Sequence, residues 1–200
     1  MTGVGFLGVT IGIVTNNRDP DRLGRVKVAL PWLADDVESA WARVLAPAAG
    51  RGRGFYFLPE VDDEVLVAFE QGDPACPYVL GALWNGRDAP PETNADGRND
   101  VRVIRSRSGH MIRLVDASGE EKIEIVDSSG RNRIVVNSAD GTVTVAGDAD
   151  VVVEAAKGTL TLRGKDVAIR ARQGVTVEGA TVTVKAQARL TVKGQIVEIN

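Results

Sequence analysis

The run Thr159-Leu160-Thr161-Leu162-Arg163-Gly164-Lys165-Asp166-Val167-Ala168-Ile169-Arg170 alternates aliphatic and polar side chains twice, with Gly164 between the two bouts. In an extended chain, residues two apart share a face, so Leu160 with Leu162 and Val167 with Ile169 point one way. Thr161, Arg163, Ala168 and Arg170 point the other. The same device spreads outward from this run. Aliphatic pairs occur at Ile112/Leu114, Ile123/Ile125, Ile134/Val136, Val143/Val145, Val151/Val153, Leu160/Leu162, Val167/Ile169, Val175/Val177, Val182/Val184, Leu190/Val192 and Val197/Ile199. Their starts are spaced 11, 11, 9, 8, 9, 7, 8, 7, 8 and 7 residues apart, settling at 7 to 8 toward the C-terminus. Eleven short strands are expected, each dry on one face and wet on the other.

Two architectures fit this repeat. A left-handed hexapeptide helix needs a period of six and is excluded, but a single chain laying down three strands per coil is compatible with the spacing. Two modest aliphatics per strand pack weakly within one chain, and Asn200 follows the last inward residue, Ile199, with no capping element expected. Three chains wound about one axis give each layer apolar side chains from every subunit. The favoured expectation is therefore an intertwined trimeric β-helix with the 22 paired aliphatics as its core. At ~4.8 Å per strand, eleven strands make a rod of about 50 Å.

The bulk composition agrees with extended structure. The 200 residues are 44% hydrophobic and only 4% aromatic, with 22 glycines. Small branched side chains thus fill the interior. A net charge of -3 argues against a general nucleic-acid binder, which carries a basic stripe to neutralise phosphates. Residues 156–200 are the local exception, with 8 basic against 3 acidic side chains, a bias that a solvated surface explains and that also suits approach to anionic envelopes. Cys76 is the sole cysteine, so no intrachain disulfide and no cysteine-based metal site are expected. No cofactor is expected either. The apolar stretch Phe6 to Val14 follows no basic residue and reads as a strand, not a secretory signal, so synthesis in the cytoplasm without a signal peptide is expected. No run approaches the ~20 apolar residues of a transmembrane helix.

The first half shows five strand-like runs: Val9 to Thr15, Arg25 to Leu30, Trp41 to Pro47, Glu64 to Glu70, and Tyr78 to Trp84. Five strands are the complement of a small OB-type barrel. Gly86-Arg87-Asp88-Ala89-Pro90-Pro91 and the polar residues after it mark a linker. The expected organisation is all-β: a five-stranded OB-type barrel over 1–88, a linker over 89–105, and the β-helical needle over 106–200.

Several separated blocks of the first half carry a resemblance. Asn17-Arg18-Asp19-Pro20-Asp21-Arg22-Leu23-Gly24-Arg25-Val26-Lys27-Val28-Ala29-Leu30-Pro31-Trp32, then Trp41-Ala42-Arg43-Val44, the run from Gly50 to Phe69, and Gly72-Asp73-Pro74 through Val79-Leu80-Gly81 occur in the order of the OB domain of the VgrG, phage baseplate V and tail-spike family. The second half is similar to the β-helical needle of that family through its repeat. Asp62 departs from the pattern, standing where glycine is usual before Asp63-Glu64-Val65, and a slightly altered turn is expected there.

The resemblance implies a structural role: the central spike of a contractile injection system, a homotrimer that joins a baseplate hub to a PAAR-type tip and pierces a target envelope. VgrG proteins carry a hub region ahead of the barrel, and here the barrel begins almost at once, so the hub is expected to be a separate protein. Arg51, Arg53, Trp32 and Trp41 are candidates for the barrel's hub contact. Gln195, Ile196, Val197, Glu198, Ile199 and Asn200 are candidates for docking the tip. The rival class is an OB-fold module for nucleic acid or glycan with a single-chain β-solenoid, in which Trp32, Trp41 and Trp84 would stack on ligand.

Motifs of other chemistry fail on context. Gly3-Val4-Gly5-Phe6-Leu7-Gly8 fits G-x-G-x-x-G, but a dinucleotide motif follows a strand and opens a helix. Gly50-Arg51-Gly52-Arg53-Gly54 lacks the Lys-Ser/Thr of a P-loop and reads as an exposed loop. His110 is the only histidine and forms no triad with Ser108 and Asp116. The acidic clusters Asp35-Asp36/Glu38 and Asp62-Asp63-Glu64 read as solvated turns, and no catalytic residue is expected.

Overall fold

A computed structural model describes residues 8–33 and 37–198. Ile199 and Asn200 of the expected core and tip-docking sets, Gly3 to Leu7 of the glycine-rich motif, and Asp35 and Asp36 lie outside the described residues. The chain divides into two units, one ending at Ala149 and the other beginning at Asp150.

The first unit opens with seven strands: β1 (Val9–Asn16), β2 (Arg25–Ala29), β3 (Ala42–Val44), β4 (Ala49–Gly50), β5 (Arg53–Gly54), β6 (Glu64–Phe69) and β7 (Pro77–Ala82). Five of them close a barrel in the order β1-β2-β3-β7-β6, antiparallel throughout except between β3 and β7. These are the five strands that the alternation in the first half indicates. Inside, Val14, Val26, Val28, Val65, Val67 and Val79 are fully buried and are joined by Leu30, Ala42 and Phe69. A narrow barrel leaves room for short branched side chains and little else, which is why aromatic residues are few in this interior.

Gly12 lies buried on β1, where a Cβ would stand 3.1 Å from Cγ2 of Val67 and 3.2 Å from Cβ of Val28. The close approach of β1 to both neighbours requires a hydrogen at that position. In the turn before β6, Asp62 holds φ at 75°, the left-handed conformation that glycine adopts without penalty. Asp and Asn are the side chains that tolerate it best. The turn is kept in place by Asp62 N–H donating to the Val14 carbonyl (2.8 Å) and by the Asp63 carboxylate accepting from the Glu60 N–H (2.8 Å).

Five further strands form a second sheet: β8 (Val101–Arg105), β9 (Met111–Val115), β10 (Lys122–Val126), β11 (Arg133–Asn137) and β12 (Thr142–Ala146). They follow one another as an antiparallel meander. Each hairpin is pinned by local polar contacts. The β10–β11 turn gathers around Asp127, whose carboxylate accepts from Asn132 Nδ2 (2.8 Å) and Ser129 Oγ (2.9 Å). These bonds, that of Asn132 foremost, hold its pKa down to about 2. His110 precedes β9 and its Nδ1 accepts from the Ser128 N–H (3.2 Å), a strand-entry contact.

In the second unit, the described residues lie outside any helix or strand and are exposed throughout. The chain bends at 165–166, 172–173, 180, 187–188 and 195–196, the 7-to-8-residue rhythm of the aliphatic pairs. None of these described residues belongs to a strand ladder. The all-β class and the closed barrel hold, whereas no β-helix is present among the described residues of the single chain. The first four pairs lie in β9 to β12, β8 adds a strand within 89–105, and the described members of the later pairs, from Val151 to Val197, lie outside any strand. β8 has its own aliphatic pair, Val101 and Val103, on the opposite face, and presents Arg102 and Ile104 on the face of the rows.

Candidate assembly surfaces

The registers of the meander bring the aliphatic pairs into two continuous rows on one face. One row is Ile104, Ile112, Ile125, Ile134 and Val145; the other is Arg102, Leu114, Ile123, Val136 and Val143. Eight of the nine aliphatic side chains, all but Ile104, are expected in a core, and within the single chain all nine are exposed, from 38% at Val136 to 70% at Val143. The opposite face is the more sheltered one over β8 to β11. There Arg113 and Glu124 face each other across β9 and β10 at 2.6 Å, with Lys122 3.4 Å from the same carboxylate. Burial pushes the Glu124 carboxyl up, and Arg113 and Lys122 outweigh it and hold it below its ordinary value.

A contiguous exposed aliphatic face of this extent is unusual on a monomer and marks a contact surface. The pairs of the second unit depart from the expected burial in the same way, and further. Val151 and Val153, Leu160 and Leu162, Val167 and Ile169, Val175 and Val177, Val182 and Val184, Leu190 and Val192, and Val197 are each more than half exposed. The second member of a pair is the more open one: Val153, Val177, Val184 and Val192 reach 66%, 69%, 67% and 68%. The physical reason is that a side chain is buried by what lies across from it. An extended segment outside any ladder has neither a flanking strand nor a facing layer, so alternation alone cannot make these residues a core. Every described core candidate is thus outward in a single chain, apart from the partial shelter that the meander gives its own rows. Of the tip-docking candidates, Gln195, Ile196, Val197 and Glu198 are described, with Ile196 80% exposed.

The barrel presents a second surface. Between β1 and β2 the chain is knotted around Asp19, whose carboxylate accepts from Nε (2.9 Å) and Nη2 (2.7 Å) of Arg25 and from the N–H groups of Asp21 (3.0 Å) and Leu23 (2.9 Å). The Arg25 guanidinium, assisted by these N–H groups, holds the Asp19 carboxyl well below the usual carboxylate range. The knot presents Arg22 and Leu23 to one side of a groove of about 670 Å³. The other side is the β4–β5 hairpin followed by Phe55, Tyr56 and Phe57, all exposed although aromatic. A two-residue turn through Arg51 and Gly52 (φ 66°) joins β4 to β5. An isolated two-stranded hairpin with small side chains has little to hold it in water.

The four hub-contact candidates fall in different places. Arg51 and Arg53 are exposed on the hairpin, and Arg53 lines the groove. Trp41 packs beneath cations of β2, with Arg25 at 5.9 Å and Lys27 at 5.5 Å from its ring centre. It therefore braces the barrel wall. Lys27 is also paired with Glu38 at 2.6 Å, and that contact, with a bond from Thr15, lowers the Glu38 carboxyl. Trp32 is exposed just after β2. Among the described residues, no group of three or more His, Cys, Asp or Glu side chains could hold a metal ion. No helix of the described residues is long and apolar enough to cross a membrane.

Residues 10–84 match the family model of the type VI secretion system/phage-baseplate injector OB domain. The barrel is similar to an injector OB domain. Its limits coincide with the closed barrel, and the likeness to VgrG proteins read from its sequence blocks is borne out. The type VI secretion system spike protein VgrG4b of Pseudomonas aeruginosa is 36% identical over 109 residues, covering 50% of this chain and 14% of the relative. Spike protein VgrG1a of the same organism is 32% identical over 110 residues, 50% of this chain and 17% of the relative. The actin cross-linking toxin VgrG1 of Vibrio cholerae is 33% identical over 92 residues, 44% of this chain and 8% of the relative. The chain spans less than a fifth of the length of each of these relatives. The barrel here owes its loop geometry to the Asp19–Arg25 knot and its exposed groove to Phe55 to Phe57. Neither was singled out as a site from sequence, although the Asp-Pro-Asp-Arg-Leu-Gly-Arg run contains the acid and base six residues apart.

Proposed function

We propose that this chain is a structural spike component of a contractile injection machine, acting as a homotrimer. The carrying observation is an injector OB domain joined to an aliphatic face and aliphatic pairs that a single chain leaves in water. Each strand offers only two inward positions. Three such narrow faces can enclose a dry triangular prism, in which every layer receives side chains from all three protomers. The relatives that carry this OB domain and are named as spike proteins support the same role.

On this reading, the barrel seats the spike on a baseplate hub, with Arg51, Arg53 and the aromatic groove among its contacts. The C-terminal rod transmits thrust to a target envelope as a sheath contracts. Gln195 to Asn200 of three chains receive a PAAR-type tip, whose docking would cover exposed residues such as Ile196 and Val197. The work is done by packing, without turnover, cofactor or nucleic acid. The protein is made in the cytoplasm and incorporated into a phage tail-like particle. A single-chain solenoid requires each coil to hydrogen-bond to the next, and the described residues of the second unit carry no such ladder.

Light scattering on the purified chain tests the proposal. The expected mass is three times the 21.2 kDa of one chain. A monomer at micromolar concentration overturns it. Equal binding of a tip protein by a trimer lacking Gln195 to Asn200 overturns the docking assignment alone.

A further inference from the structure

One position breaks the aliphatic rows of the β8–β12 sheet. Arg102 stands opposite Leu114 at the end of a row whose other members are Ile123, Val136 and Val143. Its guanidinium turns to the rim of the face, where Nη1 donates to the Asn99 carbonyl and lies 3.2 Å from Oδ2 of Asp116. Asp116 continues the alternation of β9 two residues beyond Leu114, and its own N–H donates to the Asp100 carbonyl (2.8 Å). A charged couple therefore occupies one corner of an otherwise aliphatic surface.

The physical consequence concerns alignment, and it rests on the trimer reading above. Where three such faces meet about an axis, the layers Ile112/Leu114, Ile123/Ile125, Ile134/Val136 and Val143/Val145 have similar volume and the same polarity. Sliding one protomer along the axis by one strand, ~4.8 Å, replaces one aliphatic layer by another. A repeating core of this kind specifies its register weakly. Arg102 lifts the degeneracy. In the matched register, all three guanidiniums lie in the same end layer, each beside a rim carboxylate. A one-strand slip in either direction sets at least one Arg102–Asp116 couple against the Ile112/Leu114 layer of a neighbour, out of water. Stripping an ion pair of water against an aliphatic layer, with no added hydrogen bonds in return, is unfavourable.

We propose that the Arg102–Asp116 couple is the register key of the assembled spike, a single polar site that selects one alignment of three otherwise slippery faces. Polar residues in repeating apolar seams of coiled coils act in the same way.

The test uses two differently tagged full-length chains, both Cys76→Ser, one carrying Ile125→Cys and the other Ile134→Cys. These positions are neighbours in one row. After co-refolding and oxidation, matched trimers place equal residues level and give only 125–125 and 134–134 links. A one-strand slip brings 125 level with 134 and gives the mixed link, since a disulfide needs Cβ atoms within about 4.5 Å. With Arg102 present, the mixed link is expected only in trace. Arg102→Leu in both chains raises it to a share comparable with the like links, and Arg102→Lys returns it to trace. Arg102→Gln, polar but uncharged, replaces the leucine variant if that chain folds poorly, and is expected to raise the mixed link too. Trimers of the uncharged variants with like links alone overturn the register key and leave the trimer standing. Monomeric parent chains overturn the trimer reading, and the key with it.

Discussion

Truncating Ile125 to alanine asks whether the aliphatic face of the sheet is a subunit interface. Ile125 sits in mid-row between Ile112 and Ile134 and is 49% exposed in the single chain. The truncation removes three carbon groups, each worth about 0.8 kcal/mol when fully buried. About half of that burial is already achieved within the chain, leaving about 1.2 kcal/mol per protomer for assembly. The loss recurs on three protomers, so the trimer association free energy weakens by roughly 3.6 kcal/mol, a factor of ~400 in the association constant. For a monomer–trimer equilibrium, the concentration of half-dissociation scales with the square root of that factor and rises by ~20-fold. Sedimentation equilibrium over a dilution series in mild urea reads this shift directly. Ile125→Asp, which sets three carboxylates facing one another in the core, is expected to give monomers throughout. Thr144→Asp, on the opposite face of β12, is expected to leave the parent mass unchanged. An Ile125→Asp chain that keeps the parent mass on dilution would refute the argument, as would equal dissociation by both aspartate variants.

The barrel supplies three further tests. Gly12→Val forces a branched side chain into a space where a Cβ alone meets Val67 and Val28 at 3.1 and 3.2 Å, and should destabilise the barrel by about 1–3 kcal/mol in urea unfolding. The Asp19 carboxyl is lowered in the folded state by Arg25 and backbone N–H groups, so its contribution is complete above the unfolded pKa of about 4 and is lost as pH falls below it. Unfolding between pH 6 and pH 2 should show this acid-side decline in the parent and a flatter profile in Asp19→Asn. Asp62→Val places a β-branched residue at φ 75° and should cost about 1–2 kcal/mol, while Asp62→Gly should be close to neutral, by thermal denaturation of both.

The two regions of the chain differ in what holds them. The barrel encloses a core of its own and pins its loops with the Asp19–Arg25 and Asp62–Asp63 contacts. The meander is held by hydrogen-bonded ladders, by polar turns and by one more sheltered face, with its aliphatic face unspent. Such a sheet gains most of its stability on association, which makes spike assembly and spike folding one event in the proposed trimer.

Alternation and spacing are local properties, and what depends on them alone was legible in the amino-acid sequence. The all-β class, the five barrel strands, the aliphatic pairs and the rhythm of bends after residue 150 all follow from side chains two apart sharing a face. What depends on partners distant along the chain was not. The same spacing serves a ladder within one chain or between chains, and only the tertiary structure decided that pairing runs from β8 to β12 and is absent in the described residues beyond. Val153, Val177, Val184 and Val192 show the difference: their sequence pattern is that of Val136, but no strand of the same chain is laid beside them among the described residues. Arg102 on a dry face looks like the end of a pattern, until its register with Leu114 shows it to be a member of the row. Trp41 offered itself as a docking side chain, but β2 brings Arg25 and Lys27 over its ring. Phe55, Tyr56 and Phe57 carry no periodic signal, and their exposure became visible only once the barrel had closed with a full complement of small aliphatic residues.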